Sequence, residues 1–152
     1  MRELRIRRAT LRDVRRMAEI EQACFEKAYP EALLALFVTS ERYISLVAEV
    51  GGVIVGLAVG ELEEHEHKRV WHVWTLEVLP AYRNRGIGTR LLKALEEELA
   101  ARGAREFYLE VCVGNEPAIH LYEKLGYERV GILRDYYGPG AHGYFMRKSL
   151  ST

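Results

Sequence analysis

Residues 70–102 constrain this chain more than any other stretch. The run Val70-Trp71-His72-Val73-Trp74-Thr75-Leu76-Glu77-Val78-Leu79 is dense in β-branched and aromatic residues, which suit a strand. Pro80 ends it, since proline has no N–H for a ladder. From Ile87, apolar residues return at Leu91, Leu92, Leu95 and Leu99, with Glu96, Glu97 and Glu98 among them. That spacing is an amphipathic helix, and Gly103 suits its C-terminal stop. Between the two lies Arg83-Asn84-Arg85-Gly86-Ile87-Gly88. A helix N-terminus offers unpaired N–H groups and a positive dipole end. Glycines let the backbone approach an anion closely, and arginines add charge-assisted hydrogen bonds. The turn has the chemistry of a phosphate cradle; the bland alternative is a strand–helix loop that happens to be basic. It lacks both GxxxxGK[ST] and GxGxxG, so neither a P-loop nor a Rossmann site is expected.

The whole chain sets outer bounds. Its 152 residues, 49% hydrophobic, suit one folded domain over 1–152. Lys plus Arg and Asp plus Glu balance at 22 each, so no net field favours nucleic acid. Cys24 and Cys112 provide no disulfide framework. The opening MRELRIRR is not a signal peptide, and no apolar run reaches the length of a membrane span. The expectation is a cytoplasmic protein with no nucleic-acid or membrane partner; the sequence leaves the oligomeric state open, a monomer among the options.

Taken in order, Glu3 to Ala9 alternates as a first strand, and Thr10 with Asp13 resembles a capping box opening a helix. Leu11, Val14, Met17, Ala18, Ile20, Cys24 and Phe25 form its apolar stripe. After a break at residues 26–29, Pro30 suits the first turn of a second helix, to about Val38. Tyr43 to Val50 and Val53 to Leu62 read as strands joined by Gly51-Gly52, with Gly56 and Gly60 as bulge or close-approach sites. Residues 61–69 read as a polar turn, in which His65 and His67 are solvated. Beyond the central unit come a strand from Arg105 to Val113, a short helix from Ala118 to Leu125, and strands from Tyr127 to Leu133 and Gly143 to Ser149. The order argues an α+β fold: a mixed, mostly antiparallel seven-stranded sheet flanked by about four helices. The crossover helix makes the fourth and fifth strands parallel if they are neighbours.

A second signature is Leu109-Glu110-Val111-x-x-x-Asn115-x-x-Ala118-Ile119-x-Leu121-Tyr122-x-x-x-Gly126-Tyr127. With Arg83-x-x-Gly86-x-Gly88 between strand and helix, it resembles the GNAT N-acetyltransferase superfamily, whose pyrophosphate loop reads R/Q-x-x-G-x-G/A. The likeness spans nearly the whole chain. It is strongest to the branch that acetylates protein N-termini, which includes the bacterial ribosomal-protein alanine acetyltransferase and archaeal N-terminal acetyltransferases. The closing Tyr136-Tyr137 and Tyr144-Phe145-Met146 fit that branch.

The resemblance implies a GNAT fold whose fourth and fifth strands splay to admit the pantetheine arm of acetyl-CoA, the cosubstrate. It assigns cofactor binding to Leu76, Glu77 and Val78, to the loop Arg83, Asn84, Arg85, Gly86, Ile87, Gly88 and Thr89, and to Asn115 and Tyr122. The backbone N–H of Val78 matches the oxyanion donor. Asn115 also suits an N-cap.

Acetyl transfer requires a neutral amine, a donor for the oxyanion and a proton for the leaving sulfur. An α-amine, pKa ≈ 7.7–8.0, is made neutral at pH 7 for about 1 kcal/mol, against about 4–5 kcal/mol for a lysine near 10.4. A modest base is enough. Glu110, acidic in an otherwise apolar strand, is the first candidate, and His72 the second. The alternatives are a solvated strand glutamate and a satisfied sheet histidine. Two ligands do not make a metal site, so no metal is expected. Tyr122 is the candidate acid for the thiolate. By the resemblance, Phe25 and Tyr29 form one wall of a peptide slot and Tyr137 the other, with His72 and Glu110 between. Glu26-Lys27 departs from the Pro-Glu or Phe-Pro common there, which bears on the first residue accepted. The expected activity is acetylation of a protein or peptide α-amine. A small-amine acetyltransferase, acting on a polyamine or amino sugar, and an idle acyl-CoA sensor are the rivals.

Overall fold

The computed structural model describes residues 3–150. Seven strands form one sheet in the order β1-β2-β3-β4-β5-β7-β6. They are β1 (Leu4–Arg8), β2 (Tyr43–Val50), β3 (Val53–His65), β4 (Lys68–Val78), β5 (Glu106–Cys112), β6 (Glu128–Leu133) and β7 (Gly143–Ser149). Four helices flank it: α1 (Val14–Cys24), α2 (Glu31–Thr39), α3 (Ile87–Ala101) and α4 (Glu116–Lys124). The α+β expectation holds, as does the mostly antiparallel order.

Amphipathic spacing puts α3 on one face of the sheet. Leu91, Leu92, Leu95 and Leu99 are fully buried there with Trp71, Val73 and Phe107. Each such leucine contributes on the order of 1.5–3 kcal/mol over exposure. On the other face, Met17 and Ile20 of α1 and Leu34 and Phe37 of α2 bury Val47, Leu57 and Val59. Gly56 permits close strand packing, since a Cβ there would lie 2.9 Å from the Glu77 carbonyl. Gly60 lies at a register shift between β3 and β4, the bulge that a strand glycine often marks.

Two local expectations change. The polar stretch 61–69 is not a turn: β3 runs on to His65, β4 starts at Lys68, and only Glu66 and His67, both at positive φ, reverse the chain. Cross-strand pairing explains it, because Glu64 faces Arg69 in register and opposite charges favour the ladder. Thr10 and Asp13 do form a capping box, but it opens a 3₁₀ turn, Leu11–Asp13, that precedes α1.

Among the described residues β4 and β5 are the sole parallel neighbours, and they pair only over Val70–His72 with Glu106–Tyr108. Beyond that point β4 follows β3 as far as Val78. β5 instead follows β7, as far as Cys112. The two strands part, and the open wedge faces the start of α3.

The N-terminal edge is fixed by charge. Asp13, 7% exposed, accepts two hydrogen bonds from Arg7, at 2.8 and 2.9 Å. The guanidinium lowers the Asp13 pKa to about 2. This carboxylate therefore adds stability above its unfolded value of 3.8, and that contribution is lost as pH falls toward about 2. We expect Arg7→Met to destabilise the fold by on the order of 2 kcal/mol at pH 7, with the deficit shrinking between pH 4 and pH 2. Urea melts across that range check it.

Candidate active site

The wedge opens into a cleft of about 780 Å³. Leu76, Glu77 and Val78 line one side, and Asn115 and Tyr122 the other. Arg83, Asn84, Gly86, Ile87, Gly88 and Thr89 line its mouth. Leu79 N–H donates to Val55 of β3. Donors alternate along a strand, so Val78 N–H is turned into the wedge.

The mouth is an anion cradle. Gly86 caps α3 at φ +79, and a Cβ there would meet no atom within 4 Å. The space above it is open cleft. Arg83 donates from Nε to the Val78 carbonyl at 2.9 Å, which ties the end of β4 to the loop and leaves guanidinium N–H groups at the mouth. Arg85 does not line the cleft; its guanidinium sits 5.3 Å from the Tyr82 ring centroid. The opening, the glycine cradle and the helix terminus fit a diphosphate on a narrow arm.

At the root of the wedge, where β4 and β5 still pair, His72 Nε2 donates to Glu110 Oε1 at 2.6 Å. His72 is 6% exposed. Tyr108 stacks on its ring at 4.6 Å, and Trp74 meets it edge-on at 4.5 Å. These rings fix the imidazole. The two candidate bases are therefore one hydrogen-bonded pair, with Glu110 Oε2 outside that bond.

Tyr122 is buried at 7% exposure and packs edge-on against Tyr127. Burial pushes its phenol well above the ordinary value, so it stays protonated. Its hydroxyl has no hydrogen-bond partner among the described residues and is available as a donor. Asn115 is an N-cap, Oδ1 accepting from Ala118 N–H at 3.4 Å, and it lines the cleft as well.

Tyrosines of two loops come within reach of the Glu110 charge. Tyr29 is half-buried, edge-on to Phe37 and Trp74. Its pKa is raised to about 12, chiefly by burial and then by the charges of Glu21 and Glu110. Tyr137 is 40% exposed and edge-on to Tyr136 at 4.9 Å. Glu110 also raises the phenols of Tyr136 and Tyr137, after burial. Phe25, 42% exposed, lines the cleft mouth.

Several side chains at the site escape sequence reasoning. Tyr136 lies within the Tyr-Tyr pair but only the fold turns it toward Glu110. Cys112 is half-buried and lines the cleft, as Cys24 does. Glu21 and Glu77 are 1% and 5% exposed. Thr75 Oγ1 lies against Glu77 Oε2 and 3.1 Å from Glu21 Oε2. One hydroxyl proton cannot serve two carboxylates. Burial pushes the Glu21 carboxyl up, against the lowering hydrogen bonds from Tyr29 N–H and Thr75, which favours its neutral form. Glu21 Oε1 also accepts from Tyr29 N–H at 3.4 Å, linking α1, β4 and one slot wall.

Comparison with known proteins agrees. Residues 14–127 match the acetyltransferase (GNAT) family. An N-alpha-acetyltransferase of Sulfurisphaera tokodaii is 36% identical over 157 residues, covering 97% of this chain and 94% of that protein. The N-alpha-acetyltransferase RimI of Mycobacterium tuberculosis is 38% identical over 146 residues, covering 91% and 88%. Among solved structures, the ribosomal-protein-S18-alanine N-acetyltransferase of Escherichia coli superposes with TM-score 0.85 at 27% identity, covering 99% of this chain and 96% of that one. Arabidopsis thaliana NAA60 superposes at 0.88 with 22% identity, covering 98% and 100%, and shares the fold. The chain belongs to the GNAT acetyltransferase family. It is an N-acetyltransferase with acetyl-CoA as cosubstrate.

Two outcomes are expected. Gly86→Glu puts a carboxylate into the cradle and should abolish CoA binding by calorimetry, while circular dichroism stays native. Glu21 has a raised pKa in the fold, so its neutral form is favoured there. Its contribution is full below the unfolded value of 4.5 and is lost as pH rises. Glu21→Gln should therefore gain in melting temperature relative to wild type on going from pH 4 to pH 8.

Proposed function

We propose that this enzyme acetylates the free α-amine of a protein or peptide, including N-termini of the ribosomal-protein type. The observation that carries the reading is the His72–Glu110 pair, half-enclosed by tyrosines from two loops, at the root of the cofactor wedge. A wall on each side suits an extended chain whose first nitrogen enters between them. The names of the relatives support the same class of acceptor. A cytoplasmic location is part of the proposal; among the described residues no helix is long and apolar enough to cross a membrane.

Acetyl-CoA supplies an activated thioester. Glu110, oriented through Oε1 by His72, takes the amine proton on its other oxygen, directly or across one water. A single carboxylate suffices, because the α-amine is near neutrality already. Val78 N–H faces the wedge, where charge develops on the acyl oxygen. The amine nitrogen bonds to the acyl carbon and the C–S bond breaks; Tyr122 gives its proton to the departing sulfur, and the proton held by Glu110 returns through solvent to restore the phenol.

The test is transfer to a peptide panel that varies the first two residues and includes N-terminally blocked peptides containing lysine. We expect acetylation of free α-amines and none of the blocked peptides. Transfer confined to lysine side chains, or to small amines, would overturn the proposal. With the favoured peptide, Glu110→Gln should lower kcat/KM by about 10²–10⁴-fold. Tyr122→Phe should lower kcat while CoA affinity is kept. Wild-type turnover in either variant would remove that residue from its role.

A further inference from the structure

The ring nitrogen of His72 that the mechanism does not use faces two acids. β3 has a period of two, so Glu61, Glu63 and His65 share one face of it. His72 is paired with Glu61 across the ladder and is diagonal to Glu63. His72 Nδ1 is buried and has no hydrogen-bond partner among the described residues. In the neutral imidazole that gives Nε2–H to Glu110, Nδ1 keeps its lone pair, and it lies 4.0 Å from Glu63 Oε2. That is too far for a hydrogen bond. A bare lone pair beside two carboxylates is repulsive unless a cation lies between them.

The spacing suits a metal ion. One ligand atom each from Glu61, Glu63 and His72 falls within 4.8 Å of the others. Nitrogen and oxygen ligands stand about 2.0–2.2 Å from zinc, which puts two tetrahedral ligands about 3.4 Å apart. Small rotamer changes reach that geometry.

The surroundings also match. A metal-bound histidine donates its other N–H to a carboxylate, and ligating carboxylates are themselves hydrogen-bonded. His72 donates to Glu110. Glu61 accepts from Trp74 Nε1 at 2.7 Å and pairs with the largely exposed Arg42 at 2.6 Å. Glu63 accepts from Tyr108 Oη and lies 2.9 Å from His65 Nε2.

We propose that His72 Nδ1, Glu61 and Glu63 form a binding site for a divalent transition cation such as zinc, on the reverse side of the catalytic histidine. An ion there draws electron density through the imidazole. It makes Nε2–H a stronger donor to Glu110 and the carboxylate a weaker base, so occupancy slows acetyl transfer. The binding claim stands on geometry alone; the inhibition claim rests on the function proposed above.

The experiment is calorimetric titration of chelator-treated full-length protein with zinc chloride, without CoA. Wild type should take up one ion per chain. Glu61→Gln and Glu63→Gln, with native circular dichroism and CoA affinity, should each weaken uptake by about tenfold or more. In ¹⁵N-imidazole spectra, zinc should shift Nδ1 of His72 more than the other ring nitrogens. No saturable uptake, wild-type uptake in either variant, or an unmoved His72 Nδ1 would overturn the site. Zinc should also slow acetyl transfer by wild type more than by Glu61→Gln. Equal sensitivity, or an unslowed wild type with zinc bound, would overturn the inhibitory role and leave the acceptor assignment untouched.

Discussion

The parting of β4 from β5 is the constraint on which the rest of this structure depends. A parallel pair normally satisfies its backbone groups along its length. Here the ladder ends at His72 and Tyr108, and six further residues of β4 run on with one edge turned to the wedge. Antiparallel partners hold each strand from its outer side, β3 on β4 and β7 on β5. The wedge stays open because both walls are anchored elsewhere. α3 is buried across β2, β3 and β4, and its N-terminus closes the wide end with Gly86. A cofactor with a diphosphate head and a narrow amide arm is complementary to such a space.

At the narrow end the sheet is intact, and the proposed proton chemistry is assigned there. His72 sits under Tyr108 and against Trp74, so its ring has little freedom and its bond to Glu110 is fixed. Glu110 is the point where wedge, slot and histidine converge. Its charge acts on Tyr29 from the loop after α1 and on Tyr136 and Tyr137 from the loop before β7. One carboxylate thus acts on tyrosines from segments distant in sequence, the walls of the proposed acceptor site.

Much of this was legible from residues alone, for local reasons. α3 announces itself by its leucine spacing and its cradle by Gly86 and Gly88. β2 and β7 carry their bounds in the flanking turns. Gly56 and Gly60 mark a close approach and a bulge. The catalytic candidates Glu110, His72 and Tyr122 were reached through resemblance and residue chemistry. That Glu110 and His72 touch follows only from strand register. The splay of β4 and β5 came from the resemblance, since no periodicity encodes a broken ladder. The hairpin at residues 61–69 was obscured because its stability comes from cross-strand charge pairs, which a reading along one strand does not see. Glu63, Tyr108 and Tyr136 were hidden for the same reason: their roles depend on neighbours in space.

The most direct measurement is a crystal structure with a CoA–peptide conjugate that mimics both reactants. The account predicts the CoA arm between β4 and β5, the diphosphate on the Gly86–Gly88 turn, and the peptide between Tyr29 and Tyr137, its first nitrogen within one water of Glu110. A peptide lying elsewhere, or a first nitrogen beyond that reach of Glu110, would contradict it.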